Sequence, residues 1–208
     1  MAGDIPQRFR TEESKPWDPL SIKDVALLFA GAPFPWWIAG GYAIEQFVGS
    51  SFRSHGDIDV LMLRRDSSIA RTLLGDWDLW MADPPGQLRP WHQNETLPVH
   101  VSDVWCRRHA DAPWRFQLML DDADGAEWRS RRSAAVSMPI EALGFQNQDG
   151  VPFLKPEVQL FYKAKSPRPK DTQDFECCLA LMTDEQKGWL RRSMKVAYGE
   201  ATAWLARI

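Results

Sequence analysis

We predict an α/β (α+β) protein in which helices flank a mixed β-sheet and a helical bundle follows at the C-terminal end. Three observations support this prediction. Strand-like and helix-like segments alternate up to about residue 145, and three successive segments after residue 148 have helical spacing. The 208 residues are 44% hydrophobic and 25% charged, as in an ordinary globular protein. We therefore predict a sheet domain over residues 1–148 and a helical domain over residues 149–208.

The first part of the chain is predicted to form a helix, a strand, a helix and a strand, over residues 21–31, 33–41, 42–49 and 57–63. Ser21 and Asp24 form a variant of the capping box at the start of the first helix, and Gly31 is suited to end it. The apolar strand ends at the glycine pair Gly40 and Gly41, and Gly49 ends the helix that follows.

The remaining segments are predicted to extend the sheet and then to build the bundle. A helix over 64–75 precedes a strand over 77–82 and a long polar loop over 83–98. Further strands are predicted over 99–105, 114–121 and 133–139, the first two as a hairpin. Three helices follow over 156–165, 170–182 and 184–199, with Pro156 in the first turn of one and Thr183 opening another.

Charge and cysteine usage limit the partners and the compartment. The formal net charge of −3 provides no basic field for long nucleic acid or an anionic membrane, and no apolar run approaches the length of a bilayer span. The polar opening over residues 1–17 lacks the apolar stretch of a secretory signal. Cys106, Cys177 and Cys178 have no disulfide or zinc spacing, which predicts free thiols and a cytoplasmic protein.

Two aspartates alternate with apolar residues in the strand predicted over 57–63. Residues two apart on a strand point to the same face, so Asp57 and Asp59 are expected to share one face while Ile58 and Val60 lie in the core. Two carboxylates held close together remain ionised most easily when a cation lies between them. Because hard oxygen ligands select Mg²⁺ or Mn²⁺, the pattern indicates a site for one of these ions together with phosphate.

The glycine pair lies at a predicted strand-to-helix turn. Without a Cβ, Gly40 and Gly41 expose backbone N–H groups beside a helix N-terminus, which suits a phosphate group. Taken alone, a Gly-Gly pair is most often a turn and a lone Asp-x-Asp a solvated strand edge. Their combination at this spacing is much more specific.

Residues 39–63, AGGYAIEQFVGSSFRSHGDIDVLML, resemble the signature of the nucleotidyltransferase superfamily of DNA-polymerase-beta type. Within that superfamily, the segment resembles small bacterial aminoglycoside and lincosamide nucleotidyltransferase-like proteins. The segment over 150–175 also resembles that group, and the resemblance extends over about residues 25–180. It implies a nucleotidyltransferase-type sheet and transfer of a nucleoside monophosphate from an NTP, with ATP favoured, to an unidentified hydroxyl acceptor.

The resemblance also implies roles for individual residues. Asp57 and Asp59 would bind Mg²⁺ (or Mn²⁺) and take part in catalysis, and Gly40 and Gly41 would approach the triphosphate. Four further side chains are candidates for contact with the nucleotide: Arg53, His55, Lys163 and Lys170. The alternatives are a salt bridge for Arg53, a structural role for His55 and a solvated helix face for each lysine. Asp171 and Asp174 are expected to cap and pair within their helix.

The chain departs from the superfamily at the third carboxylate, which usually lies on a neighbouring strand. Gln117 occupies the best-aligned position, and an amide cannot accept a proton at neutral pH. Asp121, on the same strand face, is predicted to replace it as a catalytic residue, with Asp122 and Asp103 as further candidates. The departure favours an alternative function, a catalytically degenerate nucleotide-binding regulatory or toxin–antitoxin module.

Two other readings have less support. His100, Asp103, Cys106 and His109 recur every three residues, but they lie in a strand and turn, where that period does not gather zinc ligands. A structural protein with an incidental acidic strand is the third alternative. Mg²⁺-dependent ATP binding would separate it from the first two.

Overall fold

The computed structural model describes residues 12–208 and contains the helices and strands in the following order. The helices are α1 (Ile22–Phe29), α2 (Gly40–Val48), α3 (Ser67–Leu73), α4 (Pro156–Lys163), α5 (Pro169–Leu179) and α6 (Asp184–Tyr198). The strands are β1 (Trp36–Ile38), β2 (Asp59–Leu63), β3 (Asp78–Ala82), β4 (Leu88–Pro90), β5 (Asp103–Arg107), β6 (Phe116–Asp124), β7 (Glu127–Ser130), β8 (Ser133–Pro139), β9 (Gly144–Gln146) and β10 (Pro152–Leu154).

The chain divides into two compact units that interleave along the sequence. The first comprises the described residues up to Trp36 and Gly56–Leu120, and the second comprises Trp37–His55 and Asp121–Ile208. The predicted boundary between residues 148 and 149 therefore falls inside the second unit. That boundary stays a prediction.

The first unit contains a sheet in the order β4-β3-β5-β6-β2. The pairs β3–β4, β3–β5 and β5–β6 are antiparallel, which confirms the hairpin predicted around residues 106–113. Helix α1 begins at the predicted capping box, where the Asp24 backbone amide donates to Ser21 Oγ over 3.1 Å. It ends at Phe29, so Gly31 is not its capping residue.

The second unit combines parallel and antiparallel pairing. Strand β1 is parallel to β10, β10 is antiparallel to β9, and the end of β6 forms an antiparallel series with β7 and β8. Helix α4 packs against α2, α5 and α6, and α6 packs against β8. The three C-terminal helices are confirmed, including the Thr183 cap, but they share a unit with strands and with α2.

These elements confirm the predicted fold class, a mixed α/β fold in which helices flank a mixed sheet. Three further expectations about local structure were wrong. The glycine pair begins α2 and does not end a strand, β2 begins at Asp59 so that Asp57 precedes it, and the loop predicted over 83–98 contains β4. Within residues 12–208 no helix is long and apolar enough to cross a bilayer. The prediction about the opening segment falls mostly on residues 1–11, outside the described residues.

Candidate functional site

The acidic pair has the alternation that the sequence predicts. Ile58 and Val60 are fully buried, whereas Asp57 is exposed and Asp59 is half-buried. Because successive residues of an extended chain point to opposite faces, both carboxylates lie on the side away from the core. Asp57 itself lies two residues before the start of β2.

Gln117 lies on the strand beside the acidic pair. Its backbone amide donates to the Ile58 carbonyl oxygen over 2.9 Å, which aligns β6 with the start of β2. Its side-chain Nε2 donates to Asp103 Oδ1 over 2.7 Å, and Ser102 Oγ donates to the other oxygen of the same carboxylate over 2.7 Å. Of the candidates for the third carboxylate, Asp103 is therefore the one bound directly to Gln117.

The acidic pair provides the oxygen donors that a magnesium ion could use at this site. No group of three or more histidine, cysteine, aspartate or glutamate side chains within residues 12–208 is arranged to enclose a metal. Two carboxylates on one face still match Mg²⁺, which takes one or two protein carboxylates and fills its other positions with water and substrate phosphates. Asp57 and Asp59 thus fit an ion that arrives with a nucleotide, and they do not form an all-protein cage.

The two glycines have different structural requirements. Gly40 has a φ of 67°, a conformation that favours glycine, and its N–H donates to Gln159 Oε1 over 2.7 Å. A Cβ on Gly41 would lie 2.2 Å from His55 Cε1 and 2.4 Å from Arg53 Nη2. Close packing therefore explains the pair without a phosphate, and its contact with a triphosphate stays a prediction.

Arg53 and His55 are held by acidic side chains of the second unit. Arg53 donates to Asp174 through Nε and Nη2 over 2.7 and 2.9 Å, and its Nη1 lies 3.0 Å from His55 Nδ1. Glu45 Oε1 accepts the backbone amides of Phe52 and Arg53. Burial raises the pKa of Glu45, but these amide hydrogen bonds outweigh it and leave the pKa below its ordinary value.

The two predicted lysines have different environments. Lys163 is nearly buried, and its Nζ lies 2.8 Å from Asp171 Oδ1 and 2.9 Å from Asp174 Oδ2. Lys170 is exposed on α5. Burial raises the pKa of Asp171, but hydrogen bonds from Arg168 and Lys163 hold that pKa well below its usual range. The expected capping by Asp171 is confirmed, since it also accepts the Arg168 backbone amide. Asp174 does not pair within its helix as expected, because its partners Arg53 and Lys163 lie outside α5.

Asp121, the predicted replacement for the third carboxylate, is fully buried. Its Oδ2 accepts from Trp128 Nε1 over 2.8 Å and from the Tyr162 hydroxyl over 2.6 Å, and its Oδ1 accepts from Arg131 Nη1 over 2.6 Å. Such a carboxylate ties the end of β6 to β7 and α4. This geometry favours a structural role, and catalysis by Asp121 stays a prediction.

The rival zinc set does not assemble in the described part of the chain. His100 is exposed and lies 2.7 Å from Asp83, Cys106 is buried with its thiol directed to the Val104 carbonyl oxygen, and His109 is exposed. Burial raises the pKa of the Cys106 thiol well above its ordinary value, which disfavours the thiolate that zinc needs.

Glu45 and Gln159 are the two residues of the site that the sequence did not predict. Glu45 lies on α2 and organises the segment over 52–55, while Gln159 lies on α4 and accepts the Gly40 amide. Both are buried polar residues on predicted helices. Their burial is the only feature that distinguishes them from solvent-exposed helix residues. For Gln159 the sequence indicates this burial, because apolar residues of α4 surround it.

Comparison with known proteins gives one family-profile match over part of the chain and three solved structures with a similar fold. Residues 21–76, which include the glycine pair and both aspartates, match the profile of the aminoglycoside-2''-adenylyltransferase family. No curated protein sequence is significantly similar to this chain. Among solved structures, the lincosamide antibiotic adenylyltransferase LnuA with lincomycin bound has a TM-score of 0.54 at 14% identity, over 79% of this chain and 100% of that one.

Two structures of ANT(2'')-Ia are similar to the same degree. Its complex with adenylyl-2''-tobramycin has a TM-score of 0.53 at 14% identity, over 84% of this chain and 95% of that one. Its solution structure has a TM-score of 0.53 at 19% identity, over 85% and 90% of the two chains. These likenesses show a shared fold, and with the profile match they confirm the resemblance inferred from the two motifs.

Proposed function

We propose that the protein is a nucleotidyltransferase that transfers a nucleoside monophosphate from an NTP, with ATP favoured, to a hydroxyl group of an acceptor. The favoured acceptor is a small molecule of the aminoglycoside-like class, and a protein side chain is the other candidate. One observation carries the proposal: an acidic pair faces away from the core, inside the segment that matches an adenylyltransferase family profile.

Asp57 and Asp59 are proposed to hold Mg²⁺ (or Mn²⁺) through their carboxylate oxygens. When bound, this ion supplies positive charge to the transferring phosphoryl group and the departing pyrophosphate. The acceptor oxygen attacks the α-phosphorus, the bond to the bridging oxygen of the β-phosphate breaks, and pyrophosphate leaves. The hydroxyl proton passes to a protein carboxylate.

Asp103 is better suited than Asp121 to accept that proton. Asp103 is half-buried and its oxygens accept two hydrogen bonds from neutral donors, so each oxygen retains a lone pair. Asp121 is fully buried and already compensated by three donors, one of them cationic. We therefore place the proton-accepting role on Asp103, where Gln117 orients the carboxylate.

The decisive experiment measures Mg²⁺-dependent pyrophosphate release from ATP with a panel of aminoglycosides, lincosamides and other hydroxyl compounds. Asp57→Asn and Asp59→Asn are each expected to lower turnover by a factor of about 10² or more, since charge stabilisation of that size is lost. Asp103→Asn is expected to lower kcat strongly, whereas Asp121→Asn acts mainly on stability. Turnover that survives both Asp57→Asn and Asp59→Asn would exclude the proposed site.

Gln117 favours a second candidate, a degenerate nucleotide-binding module of the same fold. The two functions differ in a simple assay. For the degenerate module, calorimetry would show Mg²⁺-dependent ATP binding that Asp57→Asn weakens, and no acceptor in the panel would give pyrophosphate release. For the enzyme, at least one acceptor would give pyrophosphate release. The same titration with single substitutions tests the predicted phosphate contacts of Arg53, His55, Lys163 and Lys170.

A cytoplasmic location stays a prediction.

A further inference from the structure

Arg71, on α3, has a guanidinium group whose hydrogen bonding is incomplete. Its Nε and Nη1 atoms are buried, and neither has a hydrogen-bond partner within residues 12–208. Arginine is charged at any physiological pH, so both atoms are cationic donors. Buried donors of this kind are normally satisfied, and an unsatisfied pair requires an explanation such as a bound water or ion.

The acidic group that lines the same cavity as Arg71 is already engaged with another arginine. Oε1 of this group, the Glu95 carboxylate, accepts from Arg89 Nη1 over 2.7 Å. Among the described residues, no carboxylate is within ion-pair distance of the Arg71 guanidinium, so its charge lacks a direct counterion.

A cavity of about 260 Å³ adjoins Arg71. The indole ring of Trp91 forms part of its wall, with the ring centroid 5.9 Å from Arg71 Cζ. Most of the other lining side chains are neutral hydroxyl or amide donors, among them Ser68, Thr72, Gln93 and Asn94. The lining also includes the Glu95 carboxylate, but its Oε1 is already paired with Arg89, so the Arg71 cation and the neutral donors are left to recognise an oxyanion. The small volume suits an ion rather than a drug-sized molecule.

We propose that this cavity binds a small phosphate-type oxyanion, which supplies the partners that the Arg71 guanidinium lacks. The ion is either free inorganic phosphate or the phosphoryl group of a small metabolite, and both present the same oxygens. None of the lining residues belongs to the candidate catalytic site. Because Nε and Nη1 are shielded from solvent, binding requires a small displacement of the segment over 93–97, which provides half of the lining residues.

The test titrates inorganic phosphate into the full-length protein at constant ionic strength and follows binding by calorimetry and by the NMR signal of the Arg71 Nε–H. Saturable binding and a shift of that signal are expected. Arg71→Gln is expected to weaken binding about tenfold or more, since charge-assisted hydrogen bonds are lost. The matched control Arg65→Gln, on the exposed turn before α3, is expected to stay within about twofold because surface charges contribute little.

Folding of the variants is checked by the melting temperature, which phosphate is expected to raise in the wild type and in Asp57→Asn but not in Arg71→Gln. Arg71→Lys, which retains the charge without the planar fork, is expected to be intermediate. A phosphomonoester that binds more tightly than inorganic phosphate would identify a metabolite as the source. Absence of saturable binding, equal binding by Arg71→Gln, or loss of binding in Asp57→Asn would each overturn the proposal.

Discussion

At the scale of single residues, Gly41 has no room for a side chain because His55 and Arg53 occupy the space beside its Cα. Gly41→Ala is expected to lower the free energy of unfolding by about 0.5–2 kcal/mol. Overpacking costs about 1–3 kcal/mol, and the better helix propensity of alanine offsets up to about 1 kcal/mol. Urea denaturation measures the change. Gly31→Ala is the control, because a Cβ there meets nothing within 4 Å, and equal stability of both variants would contradict the prediction.

The candidate site shows which of its features can be predicted from the sequence and which cannot. The outward placement of Asp57 and Asp59 follows from a two-residue period, which local geometry imposes on any extended segment. The partner of Gly40 does not follow, because Gln159 is 119 positions away and only the tertiary fold brings it within 2.7 Å. The burial of Asp121 is similarly set by residues from β7 and α4, so its strand position alone suggested an exposed catalytic group.

At the scale of elements, α5 is attached by ion pairs that depend on pH. The pKa of Asp171 is held well below its ordinary value, chiefly by hydrogen bonds from Arg168 and Lys163 that exceed the effect of burial. A carboxyl group with a lowered folded-state pKa contributes stability above its unfolded value of about 4, and that contribution is lost as the pH falls toward the folded value. The free energy of unfolding should therefore fall on acidification below about pH 5.

Asp171→Asn is expected to reduce the acid slope of the free energy of unfolding by at most about 1.4 kcal/mol per pH unit, the effect of one proton. Chemical denaturation at a series of pH values measures the slope. Asp111→Asn, an exposed aspartate in the loop between β5 and β6, is the matched control and should leave the slope unchanged. An unchanged slope in Asp171→Asn would show that other carboxyl groups dominate acid unfolding.

Long elements and short elements differed in how well the sequence predicted them. Helices α1, α4, α5 and α6 and strand β8 combine a clear periodicity with caps or turn residues, and all five were predicted near their observed bounds. Strands β4, β7, β9 and β10 have three or four residues each and were missed. A strand that short has too few residues to show a period, and it exists because a neighbouring strand offers hydrogen bonds.

At the scale of the whole molecule, the chain order and the compact units do not coincide. The predicted domain boundary at 148/149 separates α4, α5 and α6 from α2 and β8, against which they pack. Val158, Leu160 and Phe161 of α4 are fully buried, and Tyr162 and Asp174 supply partners to Asp121 and Arg53. A fragment of residues 1–148 would lose this apolar cover and leave buried charged groups uncompensated.

We therefore expect the fragment over residues 1–148 to lack a cooperative thermal transition, whereas the full chain retains one. Circular dichroism melting and the dispersion of amide NMR signals measure the difference. Adding the separate segment over 149–208 should restore dispersed signals, because the lost packing and ion pairs can re-form between two chains. A fragment that melts cooperatively by itself would instead support the boundary at 148/149 and show that the first 148 residues have a self-sufficient core.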